Sequence, residues 1–73
     1  MILRDLLELG YEKVAEFQKE KTAAKLLLAG MLDISQGDIF KRYQDEIAND
    51  KANNYLELLD LYIYDSVPIQ YLV

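Results

Sequence analysis

The stretch "AAKLLLAGML" limits what this chain can fold into more than any other. Read as a helix from about Thr22 to Leu32, it carries Ala23, Ala24, Leu26, Leu27, Leu28, Ala29, Met31 and Leu32 around nearly its whole circumference. A helix apolar on all sides belongs at the centre of other elements. In a chain of 73 residues those elements must be few and well packed, because a domain this small buries only roughly 60% of the surface its unfolded chain exposes. There is no cysteine, so no disulfide or thiolate metal site can staple the fold. Hydrophobic residues make up 52% of the chain, enough for packing to supply the stability. The apolar stretch is about half of the roughly 20 residues needed to span a bilayer, and it contains Lys25.

The flanking segments also show helical spacing. Leu3, Leu6, Leu7, Gly10, Val14 and Phe17 fall on one face, and Arg4, Asp5, Glu8, Glu12, Lys13 and Glu16 on the other, which predicts an amphipathic first helix. Gly10 inside it costs up to about 1 kcal/mol against alanine, so its place is explained by close approach of a neighbouring helix or by a kink. In "DISQGDIF", Ser35 is placed to cap a short third helix, Asp38 completes a capping box, and Ile34 and Ile39 stand at the two positions of a hydrophobic staple. Phe40, Tyr43 and Ile47 give that region an inward stripe. A fourth helix, capped by Asn49 or Asp50, carries Ala52, Leu56, Leu59 and Ile63, widened by Tyr55, Leu58 and Tyr62. Pro68 fits the first position of a very short fifth helix, where its missing N–H would be unpaired anyway. "LYIY" and "IQYLV" also allow a terminal hairpin, but the helical spacing before them and the lack of glycine at the turn disfavour it. The expectation is an all-α fold: a single domain over 1–73, a small five-helix bundle with a central second helix and a proline-led last one.

Composition excludes several functions. Thirteen acidic against eight basic residues give a net charge of −5, which repels a phosphate backbone, so direct nucleic-acid binding is not expected. Lys19, Lys21 and Lys25 read as solvated helix ends. With neither histidine nor cysteine, zinc sites, Glu-x-x-His di-iron sites and histidine acid–base catalysis are out of reach. Glu8, Glu12 and Glu16 read as a solvated face rather than a cation site, and the other carboxylates lack the pattern of a calcium loop. Gly10, Gly30 and Gly37 stand alone, so there is no phosphate-binding loop. An acyl carrier protein is equally excluded, because the only Asp-Ser pair, Asp65-Ser66, is too near the end for a recognition helix to follow. The tyrosines Tyr55, Tyr62, Tyr64 and Tyr71 either pack with a hydroxyl outward or mark a contact patch, and packing is the favoured reading. Asp5 and Glu8 occupy the region where a secretory signal would be basic, which points to the cytoplasm.

One resemblance goes further. "AAKLLLAGML" is similar to the "D-A-x-L-L-L-A-H-V-L-G" stretch in the second helix of the N-terminal domain of the release factor glutamine methyltransferases, the PrmC or HemK family; Leu26, Leu27, Leu28, Ala29 and Leu32 match. "LRDLLELGYEKV" resembles the family's first helix and "SQGDIF" its short third helix. "VPIQYLV" resembles the closing "E-P-x-x-Y-L-x-G", with Pro68, Tyr71 and Leu72 matching. The chain departs from the family at Ala23 and Gly30, where aspartate and histidine are common, at Tyr62 and Ile63, where an arginine pair is common, and at Ser66 and Val67, which replace glycine and glutamate.

The resemblance implies a domain cut from a longer enzyme. That enzyme uses S-adenosylmethionine to methylate the glutamine of the Gly-Gly-Gln motif in bacterial peptide-chain release factors. Its cofactor loop and Asn-Pro-Pro-Tyr motif lie in a following catalytic domain. The expected role is therefore release-factor recognition and positioning, with no catalytic, cofactor or metal residue in these 73 positions, and with Pro68, Tyr71 and Leu72 as interdomain or partner contacts. The competing reading is a free-standing acidic helical adaptor, or an antitoxin-like protein, that pairs through its tyrosine-rich end.

Overall fold

The computed structural model describes residues 1–73. It contains four α-helices, α1 (Leu3–Glu16), α2 (Lys21–Leu32), α3 (Gln36–Lys41) and α4 (Asn49–Tyr64), then one 3-10 turn at Ile69–Tyr71. The all-α class holds, and the tail forms no hairpin. Where five helices were expected, there are four α-helices and one short 3-10 element. The last element is closed by i→i−3 bonds, from Tyr71 N–H to the Pro68 carbonyl (3.0 Å) and from Leu72 N–H to that of Ile69 (2.9 Å), the pattern of a short 3-10 piece. Pro68 does not lead this turn from inside; it precedes it in extended conformation, at φ −60° and ψ 145°.

α2 is the hub, packing against α1, α3, α4 and the 3-10 turn. Ala23, Ala24, Leu27, Leu28 and Ala29 are buried, while Leu26 remains 41% exposed. The few neighbours available in so short a chain leave one strip of the helix uncovered. Its last turn ends at Asp33 in the left-handed region (φ 56°), with Ile34 N–H bonding back to the Ala29 carbonyl at 3.0 Å. That is a Schellman closure. α1 ends the same way, with Gln18 at φ 57° and Lys19 N–H on the Val14 carbonyl at 2.8 Å.

The helix starts divide into one local cap and one distant one. Ser35 caps α3 as its spacing predicts, its Oγ accepting from Asp38 N–H at 3.2 Å. α4 departs from expectation: Ala48 holds the cap position and Asn49 is already helical. Ile47 N–H is bound to the Met1 carbonyl at 2.8 Å, and this anchor leaves Ala48 as the last extended residue. α1 has no side-chain cap at all. Its first free N–H groups, on Leu3 and Arg4, donate to the carbonyls of Asp45 (2.8 Å) and Tyr43 (3.1 Å). The terminal amine pairs with the Glu46 carboxylate.

The core holds Leu3, Leu6, Leu7 and Val14 of α1 together with Ile39, Ala52, Tyr55, Leu59 and Ile63. Two aromatics assigned to inward stripes turn outward. Phe17 lies just past the end of α1 and meets Tyr64 edge-on at 5.1 Å. Phe40 is 53% exposed because its neighbour Ile39 takes the inward position, and adjacent helical residues point about 100° apart. Tyr55 is the largest fully buried side chain. Its hydroxyl donates to the Ala24 carbonyl at 2.8 Å, and a Cβ on Gly10 would lie 2.2 Å from that oxygen. Of the two readings of Gly10, close approach is the correct one.

Truncating Leu27 or Leu28 to alanine is expected to cost about 2–5 kcal/mol out of a total of about 5–15 kcal/mol, which denaturant melts of the two variants will measure. Burial raises the Tyr55 phenol well above its ordinary value, with Tyr11 adding to the shift. The unfolded chain therefore ionises this group from about pH 10 while the folded chain keeps the proton. Its contribution to stability is complete below that pH and falls as pH rises above it. Tyr55→Phe should lower stability by about 1 kcal/mol near neutrality and flatten the alkaline decline, as read from urea midpoints on either side of about pH 10.

Candidate functional site

Three regions of surface carry side chains that could do something beyond holding the fold. The tail is the first. After α4, Ser66 adopts φ 56°, and Val67 N–H returns to the Leu61 carbonyl at 3.2 Å. Ser66 stands where the resemblance places a glycine, and the positive φ gives that glycine its physical reason: any residue with a Cβ is strained there, by about 1–2 kcal/mol. The chain then doubles back along α2, burying Ile69 and laying Val73 on Gly30, where a Cβ would come within 2.5 Å of Val73 Cγ1.

The predicted contact residues share this segment without sharing a face. Pro68 is exposed, Tyr71 is 76% exposed, and Leu72 is half-buried against the core. Tyr71 is thus free to touch something else, while Leu72 helps to seat the tail. Among the other tyrosines, Tyr55 packs fully, Tyr62 is half-buried under Lys19 (5.4 Å from Nζ to ring centroid), and Tyr64 is exposed. The tyrosine-rich end therefore serves both packing and surface.

The second region is a concavity of about 290 Å³ where the N-terminal residues meet the α3–α4 connection. It is lined by Leu3, Leu32, Arg42, Asp45, Ile47 and Lys51, among others. Mixed charge surrounds a small apolar floor, and the backbone bonds from residues 1–4 to residues 43–47 hold it together.

The third lies between α1 and α4, which run parallel. Gly10 lies against Tyr55, Lys13 pairs with Asp60, and Phe17 meets Tyr64 edge-on. Leu9 and Leu56 line a concavity of about 260 Å³ with Glu12, Lys13 and Glu16. Residues 9, 13 and 17 thus run alongside 56, 60 and 64, each one helical turn beyond the last. Leu9 falls outside the main apolar stripe of α1, which hides its role at the level of sequence. The step of four from Leu9 through Lys13 to Phe17 was the available signal.

Nothing in these surfaces converges as a catalytic or metal-holding set does. No group of three or more carboxylates is gathered as metal ligands would be, and every buried side-chain nitrogen or oxygen has a hydrogen-bond partner. Of the three glycines, Gly10 is covered by the Tyr55 hydroxyl and Gly30 by Val73, while Gly37 lies open. Phe40, against Tyr43 at 5.3 Å and Lys25 at 5.0 Å, is a solitary aromatic outpost.

Fold and surface together define a small helical module that offers apolar and acidic contact area. The chain belongs to the PrmC N-terminal domain family, whose model matches residues 5–73, and this domain is part of a methyltransferase family. No curated protein and no solved structure gives a significant match. No helix is long and apolar enough to cross a membrane.

The seat of Val73 can be tested directly. Gly30→Val should displace Val73, so that Leu72 N–H exchanges with solvent faster. Because Gly30 itself is exposed, amides of the α2 core such as Leu27 should keep their protection. Hydrogen-exchange NMR reads both in one experiment.

Proposed function

We propose that this chain is the recognition and positioning domain of a protein-glutamine methyltransferase acting on bacterial peptide-chain release factors in the cytoplasm. The observation that carries this reading is the family match over residues 5–73, which spans all four helices nearly in full and the tail. In the parent enzyme a second domain would follow this one, bind S-adenosylmethionine and hold the Gly-Gly-Gln glutamine. The present residues supply no step of the methyl transfer.

The work of the domain is proximity. Contacts remote from the reacting amide hold a large substrate so that its glutamine enters the active site in a reactive geometry, and this converts binding energy into rate. Tyr71 and Pro68 present exposed surface in the closing segment, next to where a following domain would attach. They are proposed as contacts to that domain or to the substrate, with Leu72 fixing the segment from beneath.

The test compares the parent enzyme with and without these residues on two substrates. On intact release factor, deletion should lower kcat/KM by about tenfold or more, a loss of at least about 1.4 kcal/mol of transition-state binding. On a short Gly-Gly-Gln peptide, which cannot reach this domain, it should change little. Equal losses on both substrates would overturn the recognition role.

A further inference from the structure

The concavity between α1 and α4 has features that point to one kind of occupant. Its floor is apolar, with Leu9 38% exposed and Leu56 half-buried. Its outer wall carries Glu12 and Glu16, both exposed, and neither takes part in any ion pair of the molecule. The only cation lining it, Lys13, is already neutralised by Asp60. Two turns beyond Leu9 on the same parallel helix pair lies the exposed Phe17–Tyr64 aromatic contact. That places two apolar anchor points about 12 Å apart along the helices, with uncompensated negative charge between them.

We infer that this surface docks a basic amphipathic helix of a partner protein. A helix lying in such a groove presents anchors at i and i+7, about 10.5 Å apart, close to the eight-residue separation from Leu9 to Phe17. Lysine or arginine side chains between the anchors would meet Glu12 and Glu16. Charge complementarity of this kind steers encounter and fixes orientation. The inference rests on reading the chain as a recognition module, and it adds the surface used and the chemistry of the segment recognised.

The probe is a synthetic helical peptide with leucines at i and i+7 and lysines between them, titrated into the isotope-labelled chain. Its control is a peptide of the same composition with the spacing scrambled. Amide shifts should fall on Leu9, Lys13, Phe17, Leu56 and Asp60, and the scrambled peptide should bind about tenfold more weakly. The double variant Glu12→Lys/Glu16→Lys should lose about tenfold in affinity. Asp45→Lys/Asp50→Lys, with the same change in net charge away from the groove, should lose much less. Both pairs are exposed, and unchanged melting of the variants verifies their folding.

Equal binding of the scrambled peptide, shifts centred on the 68–73 tail, or equal losses in the two double variants would overturn the inference. So would the same shifts appearing without peptide as the chain is concentrated, which would make a second copy the occupant. Because the assay uses neither enzyme nor cofactor, its failure is distinct from failure of the kinetic comparison.

Discussion

The rest of the bundle depends on one side chain, Tyr55. It projects from α4 into the space left open by Gly10 of α1, and its hydroxyl reaches the backbone of α2 at Ala24. Three helices are thus tied by one phenol that has no exposed surface. The arrangement is demanding, because a buried hydroxyl without a partner would cost more than its bond contributes. It also explains why a residue of poor helix propensity is tolerated at the centre of α1. Glycine there weakens the isolated helix by about 1 kcal/mol, and the ring that fills its place contributes apolar burial of greater size.

The N-terminal end solves a different problem. A helix start leaves four N–H groups without partners, and α1 has no serine, threonine, aspartate or asparagine at its cap to meet them. The connection between α3 and α4 meets two of them, on Leu3 and Arg4, with its own carbonyls, while Met1 is held to Ile47 and Glu46. The same set of bonds closes the start of α1 and orders a segment, residues 42–48, that has no regular secondary structure of its own. It also fixes the parallel alignment of α1 and α4, since the chain enters both helices from one clamped junction.

This alignment separates the two kinds of surface the domain offers. Along α1 and α4 the rungs Lys13–Asp60 and Phe17–Tyr64 hold an acidic, partly apolar groove in register. The tail instead is laid over α2, secured by Ile69 inside and by Val73 on Gly30. In the proposed enzyme, the tail would lie toward the following domain and the groove would remain open to a partner. Binding and attachment would then not compete for the same residues.

The spacing of apolar residues determined the helices themselves: α1, α2 and α4 lie where their three- and four-residue periods place them, and Ser35 caps α3 as its motif requires. The resemblance carried by the leucine run and the closing Pro68, Tyr71 and Leu72 identified the family. Those signals are local, so a single sequence displays them. Tertiary structure alone decided that Phe17 and Phe40 face outward, that Ala48 rather than Asn49 or Asp50 stands before α4, and that the tail makes one 3-10 turn outside Pro68. It also decided the groove, because Lys13 and Asp60 are 47 positions apart. No helical period spans such a distance; the pairing follows from Tyr55 seated on Gly10 and from the clamp at residues 43–47, contacts that exist only once the chain has folded.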